Sequence, residues 1–229
     1  MDYGFDFSFL SGFWPDLLKG TWLSIKMSAL SLVLGFLVGV ALAVARTEGG
    51  NFLKKIAAAF VDLIRNTPLV VQTFWLFFGL AAIQIRVPAF YAAIVALTIN
   101  TSAYTCEIVR AGIDSIHKGQ KEAAACLSLS KGQILGYIVL PQAVEKMYPA
   151  LISQFVLMML ATSIMSQISA QELTAIGYQI QSETFRGFEV YLVIAVIYLF
   201  LSWLLRLVMN LCHDLAFPRK KRMNESSKK

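Results

Sequence analysis

The chain has 229 residues, of which 57% are hydrophobic and 15% charged, and its formal net charge is +6. An apolar share this high, with the charges gathered in clusters, predicts a polytopic membrane protein and excludes an ordinary soluble domain. Basic cytoplasmic loops explain the positive charge under the positive-inside rule, so nucleic acid is not a predicted partner. The widely spaced cysteines and isolated histidines form no ligand cluster, and the sequence therefore predicts no metal site and no catalytic residues.

Residues 1–20 are acidic and aromatic, and they predict a short amphipathic helix in an extracytoplasmic or interfacial position, with Trp14 among the headgroups. A cleavable signal peptide would begin basic, and none is visible.

The first span is predicted from about Thr21 to Ala45. Small residues recur along it at every fourth position: Ser31, Gly35, Gly39 and Ala43. Such a stripe lets another helix approach closely, and packing within the chain is favoured over a dimer interface.

The second span is predicted from about Ile56 to Leu80 and carries charges that a bilayer disfavours. Arg65 inside it needs a partner, and Asp62, three residues earlier on the same helix face, is the nearest candidate. Because Pro68 has no amide hydrogen, we predict a kink at Asn66-Thr67-Pro68, and Gln72 lies one turn beyond it. A charge, a kink and polar amides in one span indicate a substrate pathway more than plain packing.

The third span, from about Ala89 to Val109, is polar in its second half. Asn100, Tyr104 and Glu107 follow helical spacing and share a face. Glu107 and Arg110 form a predicted second acid–base pair near the membrane interface, where an ion pair costs less than in the bilayer core.

Two more spans complete the membrane part. The fourth is predicted from about Tyr148 to Ile168 and the fifth from about Tyr191 to Cys212, with a mixed loop over residues 169–188 between them. The basic tail, residues 213–229, directly follows a span, so a topology anchor is favoured over a nucleic-acid-binding segment.

The loop after span one, the loop after span three and the tail carry most of the Lys and Arg residues. The positive-inside rule therefore predicts an all-α protein with five transmembrane helices, an outer N-terminus and an inner C-terminus. Its transmembrane part covers residues 21–212. No internal repeat is visible, so the inverted repeats of many secondary transporters are not evident.

The longest hydrophilic connection, about residues 111–146, then faces the cytoplasm. Gln120 to Cys126 reads as a helix with one acid among alanines, and Ser128 or Ser130 can cap a second short helix that reaches about Val139. Leu140-Pro141 is predicted to end that helix. Two short helices in a loop can seat in a groove of a soluble partner, which the residues alone do not name.

Several stretches resemble one family. The stretch KEAAACLSLSKGQILGYIVLPQA resembles the EAA loop of permease subunits in bacterial ATP-binding-cassette (ABC) importers. The stretch IRNTPLVVQTFW resembles the Arg-x-Thr-Pro-Leu segment of the polar amino acid permeases in that group, and NTSAYTCEIVRAGIDSIHKGQKEAA resembles the segment that leads into their EAA loop. The run ATSI is a weaker echo of their Lys-Asp-Thr-Ser-Leu run. The resemblance covers roughly residues 20 to 212.

This resemblance implies a type I ABC importer permease fold in the bacterial inner (cytoplasmic) membrane. It implies four kinds of partner: a cytoplasmic ABC ATPase dimer, a second permease subunit (identical or sibling), an extracytoplasmic solute-binding protein and the lipid bilayer. ATP and Mg²⁺ would bind the ATPase, and this chain, which has no Walker pattern, would bind no cofactor. The implied ATPase-coupling residues are Gln120, Glu122, Ala123, Ala124, Ser128, Leu140 and Pro141.

Polar residues of spans two to four are candidates for the substrate pathway, since they can replace water around a zwitterion. They are Thr67, Gln72, Asn100, Thr162, Ser163 and Ser166. Hydrogen bonding between helices is an equally good explanation for each one. The pairs Asp62–Arg65 and Glu107–Arg110 are interpreted as structural or gating pairs rather than as substrate ligands.

The chain departs from the family pattern in two places. Ser128 stands where the family's loop usually has glycine, and Leu160-Ala161 replaces Lys-Asp, which weakens the case for a strongly charged substrate. Polar amino acids or close relatives are therefore the expected cargo, and small amines or opine-like solutes are the alternative. A stand-alone secondary transporter or channel, and a membrane enzyme or scaffold, are rival classes; neither accounts for the docking loop.

Overall fold

The computed structural model describes residues 4–216, and every regular element in that range is helical. The helices are α1 Leu10–Glu48, α2 Asn51–Arg65, α3 Leu69–Ala82, α4 Ala89–Asp114, α5 Lys118–Cys126, α6 Lys131–Gln133, α7 Leu140–Ala161, α8 Leu173–Thr184 and α9 Gly187–Ala216. A π-helical segment, Ile134–Val139, joins α6 to α7, and a 3₁₀ segment, Thr162–Ile168, follows α7. Most of the predicted basic tail, from residue 217 onward, lies outside the described residues.

Four helical segments in the described range are long and apolar enough to cross a membrane: Leu10–Glu48, Ala89–Asp114, Lys131–Ile168 and Gly187–Leu215. They contain the predicted first, third, fourth and fifth spans. The predicted second span is two helices, α2 and the shorter apolar α3. A fifth crossing therefore stays a prediction.

The separation of α2 from α3 follows from the residues between them. Pro68 has an extended ψ of 138° at the N-cap of α3, and the expected kink is in fact a complete break. The Gln72 amide repairs part of the interrupted hydrogen bonding, because its Nε2 donates to the carbonyl oxygens of Ile64 at 2.7 Å and Thr67 at 3.0 Å. This side chain holds the two helix ends together.

The predicted separate helix at the N-terminus is not present, because α1 runs without a break from Leu10 to Glu48. Gly20 does not interrupt it. This glycine is buried against α8, and a Cβ there would lie 3.1 Å from the Leu173 Cα and 2.8 Å from the Ile176 Cγ1. Gly20 therefore serves close packing between helices and not a turn.

The stripe of small residues on α1 packs against α4, as the interpretation of packing within the chain requires. A Cβ at Gly35 would lie 2.5 Å from the Thr101 Cβ, and one at Gly39 would lie 2.6 Å from the Thr105 Cβ. Around this contact, a buried cluster that includes Ala43, Ala103 and Cys106 joins α1, α2, α4 and α7. The pair α1–α4 is therefore the centre of the fold.

The prediction that Leu140-Pro141 ends a helix is wrong. Residues 131–168 are helical throughout, with Pro141 in the first turn of α7. Proline is tolerated there because the first amide groups of a helix lack partners within it. The change from π to α geometry at Leu140 falls at the same point.

The predicted mixed loop over residues 169–188 contains α8. Its N-cap, Glu172, is fully buried and accepts hydrogen bonds from the Ala175 amide at 2.8 Å, the Tyr198 hydroxyl at 2.6 Å and the Ser24 hydroxyl at 3.4 Å. Burial raises the pKa of the Glu172 carboxyl above its usual range, and these hydrogen bonds oppose the rise. One carboxyl group thus ties α8 to α1 and α9.

Candidate coupling helix and solute cavity

Helix α5 is a short helix that presents most of its surface to solvent. Its N-cap is His117, whose Nδ1 accepts a hydrogen bond from the Gly119 amide at 3.1 Å. Of the predicted coupling residues on α5, Gln120, Glu122 and Ala123 are exposed, whereas Ala124 is buried. The helix packs on the π-helical segment, next to a small buried cluster around Ile116. It can therefore offer its exposed surface, which includes Gln120 and Glu122, to another molecule.

A left-handed residue ends α5. The Ser128 amide donates to the Ala125 carbonyl at 2.9 Å and the Leu129 amide to the Ala124 carbonyl at 3.3 Å, which is the Schellman arrangement. Ser128 has φ 61°. The turn expected of glycine is therefore made by serine, and Ser130 caps the next helix with its Oγ 3.4 Å from the Gln133 amide.

Replacing Ser128 by glycine should stabilise this turn. The left-handed conformation costs a non-glycine residue about 1–2 kcal/mol, and glycine avoids this cost. Glycine in turn loses about 0.5–1 kcal/mol more backbone entropy on folding, so the net gain is smaller. We expect amide hydrogen exchange across α5 to slow by a factor of about two to five. The matched variant Ser130→Ala removes the cap of α6 and should speed exchange nearby. Equal exchange in Ser128→Gly and the unmodified chain would contradict this account.

The remaining coupling candidates, Leu140 and Pro141, lie at the start of α7. Both side chains are exposed, and the continuous π-helical segment joins them to the elements that support α5. They therefore belong to the base of the connection and not to a helix end.

The charged residues of α1, α2 and α4 meet at one carboxylate, Glu107. Arg46 forms an ion pair with it, Arg110 Nη2 lies 2.8 Å from Oε2, and Arg65 Nη1 lies 3.5 Å from the same oxygen. The predicted Glu107–Arg110 pair is present. The predicted Asp62–Arg65 pair is wrong, because Asp62 forms no ion pair with a described residue and Arg65 turns towards α4.

A cavity of about 560 Å³, here called the solute cavity, lies between the α2–α3 break, α4 and α7. Its polar lining comes from Arg65, Asn66, Thr67, Asn100, Tyr104 and Gln154, and its apolar lining from Pro68, Leu69, Leu157, Met158, Ala161 and Ile164. Charge, amides and a hydroxyl from separate helices thus converge on one space. Such convergence is the usual form of a small-molecule site.

The structure brings together three of the six pathway candidates. Thr67 and Asn100 line the solute cavity, and Gln72 links them: its Nε2 lies 2.7 Å from the Thr67 Oγ1 and its Oε1 accepts from the Asn100 Nδ2 at 3.0 Å. Tyr104 and Gln154 also line the cavity but were not among the predicted pathway residues. Their positions on the polar faces of spans three and four could have indicated them.

The other three candidates lie in the 3₁₀ segment, and their hydroxyl groups hydrogen-bond to backbone carbonyls three residues earlier, in α7 or in the segment itself. Thr162 donates to the Met159 carbonyl at 2.7 Å, Ser163 to the Leu160 carbonyl at 2.8 Å and Ser166 to the Ser163 carbonyl at 2.7 Å. Ser166 lines a different cavity, next to α8. None of the three lines the solute cavity.

Comparison with known proteins identifies the family of this chain. The family described as "Binding-protein-dependent transport system inner membrane component" matches residues 31–222. The chain belongs to this family. It is 36% identical over 208 residues to the glutamine transport system permease protein GlnP of Escherichia coli (strain K12), an alignment that covers 90% of this chain and 95% of that protein.

Two further similarities agree with this assignment. The nopaline transport system permease protein NocM of Agrobacterium fabrum is 36% identical over 207 residues, covering 85% of this chain and 86% of that protein. A solved chain of an amino acid ABC transporter crystallised with histidines superposes with a TM-score of 0.86 and 34% identity, covering 91% of this chain and 98% of that one. The resemblance to polar amino acid ABC importer permeases is confirmed, and the chain is a membrane permease subunit of that type.

Proposed function

We propose that the chain is the membrane-spanning permease subunit of an ATP-driven importer, which moves a polar amino acid or a close relative delivered by a solute-binding protein. The observation that carries the proposal is α5, an exposed helix with the EAA sequence that ends in a Schellman turn at Ser128. A helix of this kind fits a groove in a soluble partner. Nucleotide and Mg²⁺ would bind that partner, an ATPase dimer, and this chain would bind no cofactor.

The proposed topology has five crossings, with α2 and α3 together forming the second, an outer N-terminus and an inner C-terminus. It places α5 and the basic residues Lys54, Lys55, Lys118 and Lys121 in the cytoplasm, as the positive-inside rule favours. The membrane would be the bacterial inner membrane. A second permease subunit, identical or a sibling, would complete the pore, and an extracytoplasmic binding protein would deliver the solute.

The two relatives named above are permease proteins of glutamine and nopaline transport systems, and other similar proteins are named for octopine and arginine transport. The solute cavity could hold either class, since amino acids and opines both carry carboxylate and amino groups. We therefore propose a polar amino acid as the cargo, with an opine as the second candidate because the similarity to the nopaline permease is as strong in identity as that to the glutamine permease.

The proposal is tested by reconstituting the chain with its ATPase, sibling permease and binding protein in liposomes. Labelled L-glutamine, L-arginine and nopaline should be offered with ATP enclosed on the ATPase side. We expect ATP-dependent uptake of at least one of them and ATP hydrolysis that the loaded binding protein stimulates. Ion-driven uptake by the purified chain alone, without ATPase or binding protein, would overturn the proposal in favour of a secondary transporter.

A further inference from the structure

Arg65 lies where two cavities meet. The first is the solute cavity. The second, here called the exit groove, has a volume of about 430 Å³ and is lined by Arg65, Glu107, Ile108, Ala111, Gly112, Ser115, Lys146, Met147 and Ala150. Arg65 lines both, and Lys146 lines the exit groove alone. The Arg65 side chain therefore lies at the boundary between the two cavities.

Arg65 is also the least engaged of the three arginines around Glu107. Arg110 donates to both carboxylate oxygens, with Nη2 at 2.8 Å and Nε at 3.3 Å, and Arg46 hydrogen-bonds to Oε1. Arg65 stands at 3.5 Å and makes no hydrogen bond with any residue in the described part of the chain. Its side chain is 39% exposed, against 17% for Arg46. Glu107 would remain paired if Arg65 left it.

Arg65 lies beside an aromatic ring. Its guanidinium carbon lies 5.4 Å from the centre of the Tyr104 ring, which attracts a cation through its π face. The guanidinium carries several N–H donors in a planar fork that matches a carboxylate, and the one long contact with Glu107 leaves most of them unused. Tyr104 thus steadies the cation while its donors stay available.

A second polar group faces the solute cavity without a partner. Gln154 on α7 is 8% exposed, lines the solute cavity and makes no side-chain hydrogen bond with a described residue. The Gln154 amide atoms are accessible from the cavity, so they are available to a polar group of a solute. The cavity is therefore lined by one cation from α2 and by one amide from α7 that makes no side-chain hydrogen bond with a described residue.

We propose that Arg65 binds the carboxylate of the transported solute in the solute cavity, while the Gln154 amide binds its polar side, and that Arg65 returns to Glu107 as the solute moves into the exit groove. The inference rests on the proposed function. Arg65 is the sole charged residue among those that line the solute cavity, and Ala161 contributes no carboxylate. The site therefore favours amino acids with neutral side chains over cationic solutes, including the second candidate, nopaline, whose guanidinium would face Arg65.

The exit groove contains a second cation, Lys146. Its Nζ donates to the Ser115 carbonyl at the end of α4, at 3.1 Å. Arg65 and Lys146 lie at separate points of this groove. Lys146 would attract the carboxylate of the solute when Arg65 pairs again with Glu107. Neither step needs any charge to remain unpaired.

The test uses the whole complex in liposomes with L-glutamine and L-arginine as probes. In Arg65→Gln we expect glutamine uptake at saturating binding protein to fall about tenfold or more, because a charge-assisted contact is lost. The binding-protein concentration for half-maximal uptake and the ATP hydrolysis that it stimulates should change less than about twofold. Glutamine uptake by Arg65→Lys should lie between that of Arg65→Gln and that of the unmodified complex, since the lysine point charge cannot replace the planar guanidinium fork. Arg86→Gln, an exposed arginine outside both cavities, is the matched control.

The possible outcomes distinguish a role of Arg65 in solute binding from a structural role. If Arg65→Gln and Arg65→Lys both import glutamine at the unmodified rate, the inference fails while the proposed function stands. Arginine uptake that equals glutamine uptake in the unmodified complex would overturn the selectivity. A loss of both uptake and stimulated hydrolysis in Arg65→Lys, with normal assembly on size exclusion, would assign Arg65 a structural role instead. Absence of ATP-dependent uptake in the unmodified complex would defeat the proposed function and this inference together.

Discussion

Replacing Glu122 by lysine is expected to reduce ATP-dependent transport by more than about tenfold, together with the ATP hydrolysis that transport requires. Glu122 is exposed and is the one acidic residue on α5, which also carries Lys118 and Lys121. A reversed charge at the centre of a docking helix places like charges against the partner that the carboxylate attracts, which costs several kcal/mol at an interface. The chain itself should fold normally, because Glu122 is exposed and its side chain makes no hydrogen bond or ion pair with a described residue.

The measurement compares uptake, ATP hydrolysis and ATPase co-purification in the same reconstituted complex. Asp214→Lys is a matched control, since Asp214 is an exposed acid at the end of α9, away from α5, and is predicted to lie on the same side of the membrane. It should retain more than half of the transport rate. Unchanged transport in Glu122→Lys would remove the docking role of α5, whereas reduced transport in both variants would indicate a general charge effect.

The sequence was sufficient where a feature depends on neighbours along the chain. Helix α5 and the Ser130 cap each follow from a few consecutive residues, and Pro68 marks the interruption that was predicted as a kink and is a complete break. The small-residue stripe on α1 also has one physical use, close helix approach, and α4 supplies the partner. These local rules gave the all-helical class, and motif resemblance gave the family.

Prediction failed where the partner is distant in sequence. Helical spacing made Asp62 the neighbour of Arg65, but the fold brings Glu107 of α4 to the same guanidinium, 42 positions further along. The buried acid Glu172 had no visible partner either, because Ser24 and Tyr198 lie on helices that meet α8 only in three dimensions. A polar loop composition therefore concealed a helix whose cap is a buried carboxyl group.

The pathway candidates illustrate a second limit. A hydroxyl in a membrane helix can turn to its own backbone or to a cavity, and the sequence does not distinguish the two. Thr162, Ser163 and Ser166 take the first course. Asn100 and Gln154 cannot satisfy a whole amide in that way, and both face the solute cavity. Of the six candidates, the amide residue Asn100 and the hydroxyl residue Thr67 line the cavity, so residue type alone did not select the lining.

Replacing Gly39 by leucine is expected to prevent stable packing of α1 on α4. A Cβ at Gly39 would lie 2.6 Å from the Thr105 Cβ and 2.8 Å from the Ser102 carbonyl oxygen, so backbone must move and not only a flexible side chain. Overpacking of this kind costs about 1–3 kcal/mol even where side chains can adjust, and we expect the upper end of that range or more. Thermal unfolding in detergent, followed by size exclusion, should show a large fall in midpoint temperature and yield.

Gly12→Leu is the control in the same helix, because a Cβ at Gly12 meets nothing within 4 Å. Leucine is the better helix former, so this variant should match the unmodified chain or exceed it slightly. If Gly39→Leu unfolds at the same temperature as Gly12→Leu, the α1–α4 contact does not hold the fold together. A milder loss in Gly39→Ala than in Gly39→Leu would show that the separation of the two helix axes, and not glycine's backbone freedom, sets the requirement at this position.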